Sequence, residues 1–268
     1  MPLPLSHPWP LIGVIHVPPL PGSPRHAGNW DDLLARVRED VEAFRDGGFD
    51  ALMVENFGDA PFHPDRVPPV TVASLTRVAL EVATRFPRPF GINVLRNDGD
   101  AALAIAAATG ARFVRVNVLV GAMVTDQGII QGRAHELLRL RAATAPGVQI
   151  WADVGVKHAS PLGALDLEVT AADTVGRALA DAVIVSGVAT GKPVDEADLA
   201  AIRRGAGATP VLFGSGFGPG QLDMGLRLAS GAIVASHVKR EGRIDRELVQ
   251  ELVQRRDAAW RRAEEDRC

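Results

Sequence analysis

Eight short runs of Val, Ile, Leu and Ala recur along the chain, each followed by a segment whose apolar residues fall at helical spacing. The runs are "LIGVIHV" (11–17), "ALMVEN" (51–56), "FGINVLRN" (90–97), "FVRVNVL" (113–119), "VQIWADV" (148–154), "AVIVSG" (182–187), "PVLFGSG" (210–216) and "GAIVASH" (231–237). Amphipathic stretches such as "WDDLLARVREDVEAFRDGG", "TVASLTRVALEVATRF" and "IDRELVQELVQRRDAAWRRAEE" lie between and after them. Strands that are apolar on both faces belong in a parallel sheet covered by helices. Eight such units in a chain of this length predict an α/β protein, a single (β/α)8 TIM barrel with one domain spanning 1–268. An open doubly wound sheet is the alternative, but "LIGVIHVPPLPG" lacks the glycine fingerprint of a dinucleotide turn.

The connections divide by length. Those leading from helix to strand are short: "GGFD", "FPRP", "TGAR", "TAPG" and "GATP". Several leading from strand to helix are long, at 18–29, 57–69 and 120–132. Long loops on one side mark the face where a barrel keeps its site, above the carboxyl ends of the strands.

Charge and composition exclude some partners. The net charge of −3 provides no broad basic field for nucleic acid and no polybasic patch for a membrane surface. Cys268 is the one cysteine, so no internal disulfide forms and a reducing cytoplasm is the expected setting. "MPLPLSHPWP" lacks the basic start and apolar core of a signal peptide. The most apolar helical stretch, "AALAIAAATGA", is far short of the roughly 20 residues that span a bilayer, so no membrane insertion is expected.

Polar residues gather at the strand ends. The first offers His16, the second Glu55 and Asn56, the third Asn93, Arg96 and Asn97. The fourth gives Arg115 and Asn117, and the fifth Asp153 with Lys157 and His158 beyond it. Ser186 and Gly187 end the sixth, Gly214, Ser215 and Gly216 the seventh, Ser236 and His237 the eighth. Arg115 and Asn117 stand two apart in an apolar run, so on a strand they share a face. A buried guanidinium needs a partner. Either Arg115 pairs with Glu55 or Asp153 as a structural ion pair, or that face meets a small anionic ligand; a base held by an arginine satisfies both.

In "FGSGFGPGQL" the glycines let backbone N–H groups approach an anion, and a helix start is expected near Pro219. Ser236 in "GAIVASHVK" is brought alongside, where TIM barrels often bind phosphate. The expected phosphate set is Ser186, Gly187, Gly214, Ser215, Gly216 and Ser236. The three lysines, Lys157, Lys192 and Lys239, lie outside the expected strands, which argues against an imine-forming aldolase. His16, Glu55, Asp153 and His158 could supply a divalent metal ion with oxygen and imidazole ligands, but no HxH or HExxH spacing backs it. The cofactor is left open on this reading.

The loop "VTDQGIIQGRAHELL" carries Gly121, Gly128 and Gly132 around Thr125, Asp126 and Gln127, spaced either as the hinges of a lid or as turns of a static loop. Ser23 and Arg25 in "PPLPGSPR" could face a ligand. His7, His26, His63 and His135 read as loop or helix-surface residues, and Trp260 as a cover for the barrel or for a second subunit.

Taken together, "GVIHVPPLPGSPR", "ENFGDAPF", "GINVLRND", "FVRVNV", "TDQGIIQG", "DVGVKHASPL", "VIVSGVATG" and "VLFGSGF" resemble the BtpA/SgcQ family over nearly the whole chain. The resemblance implies a TIM barrel related to the ribulose-phosphate-binding barrels. It also implies a family named for photosystem I accumulation, with other members resembling parts of sugar-uptake or catabolic systems. Strand eight departs from the family pattern: "IVASHVK" stands where "IVGT..K" is usual, which alters the expected phosphate contacts.

The expectation is an enzyme of lyase or isomerase type acting by proton transfer on a small phosphorylated metabolite, sugar-like or nucleoside-derived. Glu55 and Asp153 are the expected base and acid, with Arg115, Asn93 and Asn117 stabilising an enolate or alkoxide and His16 beside them. A non-catalytic assembly factor and a metal-dependent phosphate-ester or nucleotide hydrolase are the alternatives. A homo-oligomer is the default for such a barrel.

Overall fold

A computed structural model describes residues 3–156, 158–186 and 194–266. In chain order its strands are β1 (Leu11–His16), β2 (Ala51–Glu55), β3 (Phe90–Asn93), β4 (Phe113–Val116), β5 (Ala122–Thr125), β6 (Gly128–Gln131) and β7 (Gln149–Val154). They continue with β8 (Ala159–Pro161), β9 (Ala182–Val185), β10 (Val211–Phe213), β11 (Ala232–Val234), β12 (Lys239–Arg240) and β13 (Arg243–Ile244). The helices are α1 (Trp30–Gly47), α2 (Pro69–Arg85), α3 (Gly99–Thr109), α4 (Ala134–Thr144), α5 (Leu167–Gly176), α6 (Glu196–Ala206), α7 (Leu222–Leu228) and α8 (Arg246–Glu265).

Eight strands close into a parallel barrel in the order β1-β11-β10-β9-β7-β4-β3-β2, with β2 returning to β1. The fold is the expected TIM barrel. Local chemistry sets the helix ends. Asn29 caps α1 by accepting from the Asp31 and Asp32 N–H groups, and the helix stops at Gly48, whose φ of 95° suits glycine. Among the described residues, no helix is long and apolar enough to cross a membrane.

Two apolar layers follow from the period of the strands. Residues facing out, such as Leu11, Ile15, Leu52, Val54, Ile92 and Val114, pack beneath the helices. Those facing in, among them Val14, Met53, Phe113, Trp151, Ile184 and Ile233, fill the barrel. Phe113 and Trp151 stack with centroids 3.7 Å apart and planes 8° from parallel. Gly91 makes room for them: a Cβ there would sit 2.2 Å from the Phe113 ring.

The structure differs from the sequence expectation at the strand ends and in two loops. Strand four stops at Val116 and strand three at Asn93, so Asn117, Arg96 and Asn97 stand just beyond the ladder. The segment read as a lid or loop is an antiparallel hairpin, β5–β6. It is joined by β8 from the loop after β7 into a three-stranded sheet. Met123 and Ile130 bury one face of that sheet against Val118 and Val156. Lys239, read as outside any strand, lies in the two-residue strand β12 and is half-buried. The helix expected near Pro219 begins as a 3₁₀ turn, Pro219–Gln221, before the seven-residue α7. Trp260 packs edge-on against His7, with centroids 5.9 Å apart.

Candidate active site at the barrel mouth

Continuing the inward alternation one step above the apolar interior gives His16, Glu55, Asn93, Arg115, Asp153, Ser186, Gly214 and Ala235, one from each barrel strand or the residue just past it. His16, Glu55, Asn93 and Arg115 are successive register partners across β1, β2, β3 and β4. This row is polar around most of its circumference and small at β10 and β11. Space therefore opens above Gly214 and Ala235, walled opposite by charged groups.

The cavity there has a volume of about 370 Å³ and is bounded by His16, Glu55, Phe57 and Arg115 on one side and by the 214–221 loop with Ser236 and His237 on the other. Gly214 is required by close approach: a Cβ would meet Ile184 Cγ2 at 2.4 Å and Ser186 Oγ at 2.7 Å. Gly216, at φ +64°, takes the left-handed turn that follows. The Gly214 N–H donates to Val185 O and the Gly218 N–H to Gln221 Oε1, whereas the N–H groups of Ser215, Gly216 and Phe217 have no hydrogen-bond partner among the described residues. The short α7 adds little dipole, so an anion here would be held by the loop itself. Ser215 is buried and Ser236 exposed at the rim.

Behind the cavity wall lies a hydrogen-bonded network. Arg115 Nε donates to Asp153 Oδ2 at 3.2 Å, and Nη2 donates to both carboxylate oxygens at 3.0 and 3.1 Å. Asn117 Nδ2 donates to Asp153 Oδ2 at 2.7 Å, and Asn93 Nδ2 donates to Asn117 Oδ1 and to Arg115 O, both at 3.1 Å. Ser186 Oγ lies 3.4 Å from both Asp153 Oδ1 and Arg115 Nη2. A carboxylate only accepts, so the direction of this relay is fixed. Asn117 must turn its NH₂ to Asp153, and Asn93 its NH₂ to Asn117. Asn93 Oδ1 is left buried without a donor.

Burial opposes the charge on Arg115, but the carboxylates of Asp153 and, less strongly, Glu55 outweigh it and hold the guanidinium above its ordinary value. Arg96, just past β3, goes the other way. Burial lowers it against the pull of Asp153 and of Asp126 at the hairpin turn. The Asp153 side chain is only 1% exposed, so its carboxylate serves Arg115 and Asn117 and does not open into the cavity.

The structure thus brings His16, Glu55, Arg115, Gly214, Ser215, Gly216 and Ser236 to one cavity, and sets Asp153, Asn93, Asn117 and Ser186 behind it. Gly187 lies outside the described residues, as do Lys157 and Lys192. Among the described residues, no group of three or more His, Cys, Asp or Glu is gathered to hold a metal ion, so the four donors His16, Glu55, Asp153 and His158 do not form a set. Ser23 borders a separate small cleft with Asn56 and Asp59, away from this cavity. Lys239 is the residue that sequence reasoning missed: its Nζ lies 2.9 Å from His16 Nδ1.

Comparison with known proteins agrees with this architecture. The model of the BtpA family matches residues 7–258. The photosystem I biogenesis protein BtpA of Synechocystis is 48% identical over 236 residues, covering 88% of this chain and 82% of that protein. An uncharacterized protein of Thermococcus kodakarensis is 48% identical over 239 residues, covering 89% and 90%. Among solved structures, N-(5'-phosphoribosyl)anthranilate isomerase from Pyrococcus furiosus superposes with a TM-score of 0.59 at 17% identity, covering 94% of this chain and all of that one (100%). Thiamine phosphate pyrophosphorylase from the same organism gives 0.57 at 15% identity, covering 93% and 96%. At these identities the likeness is one of fold.

Proposed function

The chain belongs to the BtpA family, and from that premise we propose that the cavity at its barrel mouth is the active site of an enzyme, lyase or isomerase in type, that moves a proton on a small phosphorylated metabolite. One observation carries the reading: a single cavity joins a glycine loop suited to an anion with a carboxylate, an imidazole and a guanidinium. The phosphorylated compounds in the names of two structural neighbours, a phosphoribosyl compound and thiamine phosphate, support the same ligand class.

On this reading the phosphate rests on the N–H groups of Ser215 and Gly216 and on the hydroxyls of Ser215 and Ser236, with Gly214 keeping the wall low. Glu55 removes a proton next to a carbonyl or imine carbon. Arg115 faces the oxygen or nitrogen on which negative charge then develops, and stabilises it. Asp153, Asn117 and Asn93 keep that guanidinium aimed. The buried place of the Asp153 carboxylate favours this holding role over proton transfer. His16 stands beside Glu55, its Nε2 at 3.8 Å from Glu55 Oε1. Phe57, 45% exposed and stacked on His16 at 4.2 Å, offers a flat wall to a sugar or a base.

A second reading, a non-catalytic assembly factor, draws on the name of the Synechocystis relative and on Val124, Ile129 and Leu162, which leave the outer face of the three-stranded sheet apolar and exposed. A thermal-shift panel of phosphate, pentose and hexose phosphates and nucleotides separates the two. A ligand at one hundred times its Kd adds about 2.7 kcal/mol of stability. A sugar phosphate that shifts the wild type but not Ser215→Asp supports the enzyme; silence across the panel defeats it and favours the assembly factor.

A further inference from the structure

Lys239 reaches the site by a route of its own. After β11 the chain turns, with Lys239 N–H donating to Ser236 O at 3.2 Å, and enters a two-strand hairpin in which Lys239 pairs with Ile244. The hairpin is closed by Glu241 and Gly242 at φ 52° and 77°, the left-handed pair of a tight turn. Val238 and Ile244 are buried, and Ile244 N–H donates to Asp40 Oδ1 on α1 at 3.3 Å. The hairpin is thereby tied to α1, and its lysine is aimed back over the end of β1.

There Nζ meets His16 Nδ1 at 2.9 Å. The charged groups facing it are Asp40 and Arg36 from α1 and Glu55 from β2; Arg36 in turn pairs with Asp40 at 3.3 Å. The other ring nitrogen, Nε2, points toward Glu55 Oε1 at 3.8 Å, and the ring is clamped flat by Phe57, 13° from parallel.

With Lys239 as the ammonium, which has three donors and no acceptor, the ring nitrogen 2.9 Å from it is the unprotonated one. We propose that Lys239 is a positioning residue that holds His16 in the tautomer with its proton on Nε2, making His16 a proton donor on the Glu55 side of the cavity, re-supplied from Lys239. The step balances. When Nε2–H gives its proton to an oxyanion in the cavity, Nδ1 takes one from the ammonium. The oxyanion becomes a hydroxyl, the imidazole is neutral with its tautomer reversed, and the lysine is left as a neutral amine. Burial lowers the pKa of Lys239, which eases that release, while Asp40 opposes it. Glu55 then serves as base and His16 as acid, a division of roles that stands on the active-site reading above.

Nitrogen-15 NMR of the His16 ring in the full chain tests this without any substrate. The wild type at neutral pH is expected to show a protonated Nε2 and an unprotonated Nδ1, Lys239→Arg to keep that pattern, and Lys239→Met to lose it. A protonated Nδ1 in the wild type, or an unchanged pattern in a folded Lys239→Met, overturns the proposal; the wild-type spectrum decides even if the methionine variant does not fold. Inorganic phosphate is titrated in parallel by thermal shift. No phosphate binding with the expected tautomers would sink the active-site reading and leave the Lys239–His16 pairing standing. Phosphate binding with the wrong tautomer would do the reverse.

Discussion

The guanidinium of Arg115 forks over the carboxylate of Asp153, with contacts of 3.0–3.2 Å from Nε and Nη2, and neither side chain is more than 9% exposed. Two charges that have left water together depend on each other. Their joint replacement by apolar groups can be neutral, whereas loss of one strands the other. Asp153→Asn is therefore expected to cost about 3–5 kcal/mol in urea unfolding. The double variant Arg115→Met with Asp153→Leu should recover most of that stability. A single variant as stable as the wild type would show that the pair is not what organises the wall of the site.

The floor of the site makes a packing prediction. A methyl group at Gly91 would lie 2.2 Å from the Phe113 ring, which is itself stacked on Trp151. Overpacking of this kind costs about 1–3 kcal/mol. Gly91→Ala should lower the Tm and alter the near-ultraviolet circular dichroism of Trp151, because a displaced Phe113 ring disturbs the stack. An unaltered signal would mean that the barrel interior is looser than the stack implies.

Much of this was legible in the sequence, and what was hidden has a physical reason. Parallel strands covered on both faces stay apolar along their length, so all eight could be read directly, as could Glu55, Arg115 and the 214–216 glycines at their ends. Strand ends could not, because a ladder stops where the neighbouring strand runs out. Thus β4 ends at Val116 while its apolar run goes on to Val120. The β5–β8 pairing joins loops some thirty-five residues apart, Thr125 opposite Ala159, and no local pattern announces it. Of the two open readings of Arg115, the structure contains the ion pair: it grips Asp153, and its side chain also lines the cavity. Lys239 went unseen because its place depends on a hairpin of two-residue strands, held in part by contact with α1, that no local pattern announces.

Acid behaviour should expose the α1–α2 contact. Arg38 Nε and Arg85 Nε each donate to Glu81 Oε1 at 2.6 Å. The hydrogen bond from Arg38, most of all, lowers the Glu81 pKa from 4.5 to about 2. A carboxyl depressed on folding contributes stability above its unfolded pKa and loses it as the pH falls through the folded value. Glu81→Gln should then destabilise at pH 7 by about 1 kcal/mol or less, as befits a partly exposed group. The gap between variant and wild type should close between about pH 4.5 and 2. A gap that stays constant across that window would mean that Glu81 stabilises through something other than its charge.

Glu55 and Asp153 are both carboxylates of the barrel mouth, and the structure gives them different work. Glu55 borders the cavity, whereas Asp153 lies behind Arg115 with 1% of its side chain exposed. If turnover is followed on the sugar phosphate that the thermal-shift panel selects, both Glu55→Gln and Asp153→Asn should abolish it, by separable routes. Glu55→Gln removes the base and leaves the Arg115 network intact, so its Tm and its affinity for the ligand should stay near those of the wild type. Asp153→Asn releases Arg115, so stability should fall together with activity. A Glu55→Gln variant that binds and turns over normally would remove the base from the mechanism. An Asp153→Asn variant that loses turnover at full stability would instead give that carboxyl a direct part in the chemistry, and the holding role assigned to it would have to be given up.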